Sequence, residues 1–295
     1  MKKLFRLIKN LLISIRPKHW VKNGFIFIPL IFVGLLFDKI SFLKVFYTFL
    51  IFCLTASGVY LINDIIDKKK DCSHPYKRKR PIASGEISVF KALFLSLILL
   101  ILSFFFSYSL DKSLIWFILA YLLINIFYSL ILKNLFLIDV FFVAINYLIR
   151  VYAGAYVIKV PVSSWLFLII FLFSLVVSLG KRKEELILLE EEAKNHRKTL
   201  EFYTEDLLNQ MIVITSTLTI ISYILYTLAP ETIIKHGNYL VYTSPFVIFG
   251  FLRYLYLVNK KKMGSPVEVL FKDKEIFITV LLWGIAILFF IYFLK

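Results

Sequence analysis

Nine stretches of mostly about 20 predominantly apolar residues recur along this chain of 295 residues, near 24–40, 43–62, 87–109, 113–132, 136–158, 163–180, 207–229, 239–258 and 276–294. At 1.5 Å of rise per residue, such a stretch spans the roughly 30 Å hydrocarbon core of a bilayer. In hydrocarbon every backbone N–H and C=O must find a partner within the chain, so an open strand edge is excluded and each run reads as a helix. The first run, interrupted by Pro29 and Gly34, has the least defined ends. Composition agrees: 60% of residues are apolar or aromatic and 18% are charged, whereas soluble domains carry about 45–50% and about 25%. The expectation is an all-α integral membrane protein, a single membrane-embedded domain over residues 1–295 with about nine transmembrane helices.

The net charge of +16 would suggest nucleic acid as a partner in a soluble chain. Here no recognition helix or zinc-finger spacing accompanies it, and multispanning proteins gather Lys and Arg in cytoplasmic loops against anionic head groups. Residues 2–22, 68–91, 133, 181–198 and 260–274 all fall on one side of the nine-span arrangement and hold 27 of the 35 basic residues. That side is predicted to be cytoplasmic, so the expected location is the cell membrane, with the amino terminus and the two long charged loops, 63–86 and 181–206, inside. Residues 1–23 read as a basic lead-in lying in the interface, broken at Arg16-Pro17. Cys53 and Cys72 build no disulfide framework. There is no P-loop, dinucleotide glycine fingerprint or HExxH, and His19, His74, His196 and His236 are scattered.

The chemistry concentrates where the second run ends. Asp64, Asp67 and Asp71 are spaced i, i+3 and i+7, which puts them on one helical face. Stacked carboxylates repel and call for a cation. Mg²⁺ suits them, because it is commonly held by one or two carboxylates with water and substrate phosphates completing the shell. Asn63 adds a neutral polar group nearby. The basic run His74, Lys77, Arg78, Lys79 and Arg80 follows, the order expected for gripping a diphosphate. The plainer alternative is a helix end whose acids pair with Lys68–Lys70 and that run. Upstream, Arg16, Lys18, Lys22 and Asn23 flank Trp20, which also suits an interfacial anchor. On the fifth run Asp139, Asn146 and Arg150 form one stripe, and ionisable groups at such depth mark functional cavities or structural networks, here with Lys133 or Arg253 as the partners a network would use. Asn125, Tyr128 and Lys133 on the fourth run are candidates for the same cavity. In the second loop Lys181 and Arg182 are candidate phosphate holders, with Glu184 or Glu185 orienting them or assisting a metal. Residues 190–206 read as a solvated amphipathic helix.

These residues resemble the UbiA superfamily of intramembrane prenyltransferases, whose members have nine helices and an NDxxDxxxD motif after the second. Asn63, Asp64, Asp67 and Asp71 match it letter for letter. The remainder is similar to one branch, the decaprenyl-phosphate phosphoribosyltransferases. Its RPxxWxKN is met by Arg16, Pro17, Trp20, Lys22 and Asn23, and its HPxKRxRPIxSG by His74–Gly85. Its YSxxLKxxxxxDV stretch is met by Tyr128, Ser129, Lys133 and Asp139, its RxxAG by Arg150, Ala153 and Gly154, and its GKRxxEL by Lys181, Arg182 and Glu185. Where ordinary prenyltransferases carry a second DxxxD motif, this chain has Lys181, Arg182, Glu184 and Glu185, which suits a donor with an additional phosphate.

The resemblance implies a UbiA-type bundle with a cytoplasm-facing cavity and Mg²⁺-dependent transfer of phosphoribose from phosphoribosyl pyrophosphate to a polyprenyl phosphate. It implies Asp64, Asp67 and Asp71 as metal ligands, with Asn63 beside them. Lys77, Arg78 and Arg80 would meet the donor diphosphate, Lys181 and Arg182 its other phosphate, Asp139 a ribose hydroxyl, and Arg150 or Lys133 the lipid phosphate. Lys22, His74, Tyr128 and Glu185 complete the expected substrate-binding set. Two alternatives stay open: prenyl transfer from an allylic diphosphate to an aromatic or haem-like acceptor, and a lipid-phosphate transporter or binding protein that makes no bond.

Overall fold

The structure, a computed structural model, describes residues 2–73, 77–189 and 198–294. Among the described residues every regular element is helical: α1 (Lys2–Ile15), α2 (Ile28–Val33), α3 (Lys39–Ile66), α4 (Lys68–Ser73), α5 (Val89–Leu110), α6 (Leu114–Leu130), α7 (Ile138–Val157), α8 (Ser164–Leu189), α9 (Glu205–Leu228), α10 (Pro230–His236), α11 (Ser244–Lys260), α12 (Pro266–Lys272) and α13 (Lys274–Tyr292), with short 3-10 turns between some of them. Among the described residues seven stretches are long and apolar enough to cross a bilayer; the apolar α6, at 17 residues, falls just short of that length. The chain forms two compact units, one from Met1–Leu30, Leu36–Leu135 and Ile149–Val160, the other from Ile31–Leu35, Phe136–Leu148 and Pro161–Lys295.

Three boundaries differ from the sequence expectation, each for a local reason. The run at 24–40 is not one spanning helix. A 3-10 stretch, Pro17–Phe27, precedes the six-residue α2, which ends at Gly34 with φ +85°. Proline opening the first segment and a left-handed glycine closing the second are the ordinary start and stop signals. α3 begins early, because the Asp38 carboxylate accepts the Ser41 N–H at 2.8 Å and caps the helix. α8 does not stop at residue 180 but runs through the basic segment to Leu189, where Arg182 pairs with Glu185 at 2.8 Å, one turn on. The acidic segment is likewise helical to Ser73, with a break only at Asp67, the C-cap of α3.

In the first unit, α3 and α5 meet along small and hydroxylated residues. Ser96 donates to the Gly58 carbonyl at 2.9 Å, Thr55 and Ser103 share a 2.5 Å hydrogen bond, and a Cβ on Gly58 would lie 3.0 Å from Leu100 Cγ. Lipid provides no hydrophobic drive between helices, so close backbone approach and such bonds hold them. α1 packs Leu11 and Ile15 on Leu61, Ile82, Ile87 and Ala92, and Asn10 donates to Glu86. The Ile26 carbonyl rests against Gly154 of α7, where an added Cβ would lie 2.0 Å from the oxygen.

In the second unit, Leu175, Val176 and Leu179 of α8 share a core with Leu208 and Ile212 of α9 and with Tyr254, Leu257 and Val258 of α11. Ser174, Ser178, Thr215 and Thr219 turn their hydroxyls back to carbonyls four residues earlier, which satisfies them inside hydrocarbon. Asp273 caps α13 by accepting the Ile276 N–H at 2.9 Å and receives Arg253 Nη2 at 2.8 Å. The Arg253 hydrogen bond holds the Asp273 carboxyl below its ordinary value.

Two outcomes are expected from these contacts. Gly154→Ala has no room against the Ile26 backbone, and as an overpacked site it should cost about 1–3 kcal/mol, read as a lower thermal midpoint in detergent. Asp273→Ala should cost about 1 kcal/mol through the lost cap. Because the native carboxyl titrates below its unfolded value, this contribution is complete above about pH 4 and disappears as pH falls through the depressed value. Wild type and Asp273→Ala should therefore converge in midpoint in acid; an equal gap at pH 7 and pH 3 would contradict the assignment.

Candidate active site

α3 carries Asn63 and Asp64 in its last turn before Ile66; Asp67 caps it and α4 supplies Asp71. Asp64 and Asp71 are buried, and Asp67 is more open. Each acid meets a base. Arg16 and Arg80 both donate to Asp64 Oδ1, Arg80 at 3.0 Å, and Arg80 reaches Asp71 Oδ2 at 2.7 Å. Lys133 donates to Asp67 Oδ1 at 2.5 Å. Ser129 donates to Asn63 Oδ1 at 2.6 Å. The cations come from far along the chain: Arg16 is 48 residues from Asp64 and Lys133 is 66 from Asp67.

Arg16 has a left-handed backbone, φ +53°, directly before Pro17. A non-glycine residue is strained there, and preceding a proline disfavours helical torsions as well. Strain of this kind persists where the surroundings fix it. Here the guanidinium lies 5.0 Å from the Tyr60 ring centroid and against Asp64. Burial pulls the Arg16 guanidinium below its ordinary value, and the Asp64 charge opposes that pull.

The donor set fits Mg²⁺ of a particular kind. Carboxylate oxygens are the hard ligands it takes, yet among the described residues no three acid, histidine or cysteine side chains converge into a cage. That arrangement suits an ion held by one or two carboxylates and completed by substrate phosphate. Among the described residues, the side-chain hydrogen bonds fall on a single oxygen of each acid, Oδ1 of Asp64 and Asp67 and Oδ2 of Asp71.

Downstream, Lys77–Lys79 form one 3-10 turn, with Lys77 half-buried and Arg78 and Lys79 exposed. His74 lies outside the described residues. Lys22 and Tyr128 are half-buried. Arg150 is buried, donating Nε to Asn23 Oδ1 at 2.8 Å and Nη2 to the Tyr121 hydroxyl at 2.9 Å, with its guanidinium 4.7 Å from the same ring centroid. Asn23 in turn donates to Cys53 Sγ.

The second unit holds a separate cluster. Asp139, in the first turn of α7, is fully buried and uses both carboxylate oxygens: Oδ2 accepts Arg182 Nε at 2.7 Å and Oδ1 accepts the Tyr203 hydroxyl at 3.0 Å. Arg182 also donates to Glu185 at 2.8 Å. Burial and the neighbouring Asp139 charge push the Tyr203 phenol well above its ordinary value, so it stays a donor. Lys183 is buried and bonds Asn209, at 2.5 Å, and Asn259. Lys181 is exposed, 3.9 Å from Glu185. Residues 190–197 of the expected amphipathic helix lie outside the described residues; Lys198–Glu201 form a 3-10 turn and α9 starts on its Thr204 cap.

Sequence reasoning brought Asp64, Asp67, Asp71 and Arg80 together but gave Arg16 and Ser129 no role at the acids, and it missed Tyr121 and Tyr203. The Arg16-Pro17 break was the available signal for Arg16. A tyrosine beyond a long charged segment offered none for Tyr203.

The model of the UbiA prenyltransferase family matches residues 27–281. Among curated proteins, the chain is 33% identical over 289 residues to a decaprenyl-phosphate phosphoribosyltransferase of Mycolicibacterium smegmatis, covering 94% of this chain and 91% of that one. It is 31% identical to a protein of the same name from Corynebacterium glutamicum, over 95% of this chain and 86% of the relative. Among solved structures, a UbiA homologue from Archaeoglobus fulgidus bound to GPP and Mg²⁺ superposes with a TM-score of 0.69 at 19% identity, covering 94% and 96% of the two chains. A digeranylgeranylglyceryl phosphate synthase gives 0.66 at 20% identity over 99% of each.

Removing Asp139 takes from the buried Arg182 guanidinium one of its two carboxylates and leaves Glu185, at a cost of up to about 3–5 kcal/mol. Asp139→Ala should therefore destabilise the protein strongly, whereas Tyr203→Phe, which deletes one hydrogen bond, should cost about 1 kcal/mol. Thermal unfolding of both variants in detergent checks the ranking; equal, small losses would mean that Asp139 does not hold Arg182.

Proposed function

Because the chain belongs to the UbiA prenyltransferase family and is a membrane-embedded transferase, we propose that it joins phosphoribose from phosphoribosyl pyrophosphate to a polyprenyl phosphate and releases pyrophosphate. The observation that carries this reading is the set of three acids on one helical path, Asp64, Asp67 and Asp71, interleaved with bases at the end of α3. The names of the relatives with about a third of their residues identical support the substrate pair. The basic Lys181-Arg182 pair, in place of a second acidic motif, supports a donor with a further phosphate.

Asp64 and Asp67, with Asp71, would hold Mg²⁺, which when bound neutralises charge on the departing diphosphate. Lys77, Arg78 and Arg80 bind that diphosphate through charge-assisted hydrogen bonds. Breaking the anomeric C–O bond leaves oxocarbenium character on the ribose, and the electron pair departs with the diphosphate. The lipid phosphate, already anionic, forms the new C–O bond from the opposite face and needs no strong general base. Positioning and charge stabilisation thus supply the rate. Lys22, His74, Tyr128, Lys133, Asp139, Arg150, Lys181, Arg182 and Glu185 belong to the proposed substrate-binding set, Arg182 and Asp139 through the pair they form with each other. A water-soluble donor requires the acids to open to the cytoplasm, in keeping with the basic loops on that side.

The test supplies purified protein with Mg²⁺, labelled phosphoribosyl pyrophosphate and polyprenyl phosphate. Label should move into the lipid phase with equal release of pyrophosphate. Asp64→Asn and Asp67→Asn should each lower turnover at least 100-fold, with Asp67→Asn, on the more open pair, leaving the thermal midpoint near that of wild type. Release seen only with an allylic diphosphate and an aromatic acceptor would replace this reading with prenyl transfer, and no release with either pair would point to a lipid-phosphate carrier.

A further inference from the structure

α8 enters its charged turn at Gly180, and the next few residues are gripped from several sides. Gly180 has no room for a side chain: an added Cβ would lie 1.9 Å from the Tyr254 hydroxyl oxygen. The segment after α11 closes over the same point. Lys262 takes a left-handed backbone, φ +54°, and the Lys261 and Met263 N–H groups both donate to the Leu257 carbonyl, at 3.0 and 3.2 Å. That turn brings Gly264 onto the Gly180 carbonyl, where an added Cβ would lie 1.9 Å from the oxygen and 3.0 Å from the Lys181 nitrogen. The Gly264 carbonyl accepts the Tyr254 hydroxyl at 2.9 Å. Lys183 is buried and donates to Asn209 of α9 at 2.5 Å and to Asn259 of α11. Arg182 is bonded to Asp139 and Glu185. Successive residues of a helix point about 100° apart, so these contacts at 180, 182 and 183 set the rotation of α8 about its axis and leave Lys181 outward. Its side chain is exposed, 3.9 Å from Glu185.

We infer that Tyr254, Gly264 and Lys183 are positioning residues: they fix the turn of α8 at Gly180 so that the Lys181 ammonium meets the donor's further phosphate while Arg182 stays in its buried pair. This rests on the reading of Lys181 as a phosphate holder for phosphoribosyl pyrophosphate, and it adds that a later helix and the loop after it decide where that ammonium stands. A charge-assisted bond to phosphate forms at about 2.7–2.9 Å, so a small rotation of α8 forfeits it.

The experiment is a double-substitution cycle on the full chain in detergent, read as KM and kcat for phosphoribosyl pyrophosphate at saturating polyprenyl phosphate and Mg²⁺. Lys181→Gln should raise the donor KM at least about ten-fold, the loss of one hydrogen bond between charged groups. Tyr254→Phe, which deletes the bond to Gly264, should raise it about five-fold with kcat within about two-fold of wild type, the pattern of lost ground-state binding. Because Tyr254 acts through Lys181, the double variant should match Lys181→Gln alone within about two-fold instead of multiplying the two losses. Lys183→Met in the same cycle tests the grip from α9 and α11 and should behave alike. Losses that multiply would overturn the inference, as would an unchanged donor KM in Tyr254→Phe, since a merely structural contact lowers the thermal midpoint without touching the donor. If wild type transfers prenyl groups but no phosphoribose, the donor reading fails by itself. The cycle run on the allylic diphosphate then supports the positioning where the losses do not multiply and overturns it where they do.

Discussion

A polar group carried into hydrocarbon must be satisfied by its own chain, and most of what is specific about this protein follows from that rule. Ser107 of α5, Ser174 and Ser178 of α8, and Thr215 and Thr219 of α9 meet it locally, by bonding to carbonyls one turn back. The buried ionisable groups cannot. Arg150 is met by Asn23 and Tyr121, Asp139 by Arg182 and Tyr203, and Lys183 by Asn209 and Asn259. Each of these bonds ties distant parts of the chain, so each buried charge also fixes tertiary structure.

The two acidic sites answer the same rule in different ways. Asp139 is fully enclosed and uses both oxygens on protein partners, which makes it a strut for Arg182. Asp64, Asp67 and Asp71 sit where α3 ends, each bonded to the described residues through a single oxygen. The first arrangement resists change, because breaking it strands a charge. The second keeps ligand capacity in reserve. Of the two, the second is the site at which charge can be rearranged.

Much of the fold was legible in the sequence because hydrophobic length is a local property. The long runs of α3, α5, α7, α8, α9 and α13 fall where their apolar residues are, though the side-chain caps Asp38, Thr204 and Asp273 set where three of them start. The failures were also local. At residues 24–40, the 3-10 stretch that ends at Phe27 and the left-handed Gly34 divided what hydropathy joined. At residues 181–189, charged residues that read as loop are good helix formers with partners one turn away, so α8 continued through them. At the candidate site, the i, i+3, i+7 spacing identified the acids without identifying their partners.

By itself, then, the sequence determined the solvent, the helical class and the acids of the NDxxDxxxD motif, since each depends on residues within a few turns of one another. Only the tertiary structure decided that Arg16 and Lys133 reach those acids, that Arg182 is enclosed against Asp139 while Lys181 is exposed, and that Tyr203 completes the buried pair. Neighbours on a helix diverge by about 100°, and charges pair with whatever the packed chain brings within about 3 Å. Periodicity therefore fixes a face, and packing alone fixes what that face meets.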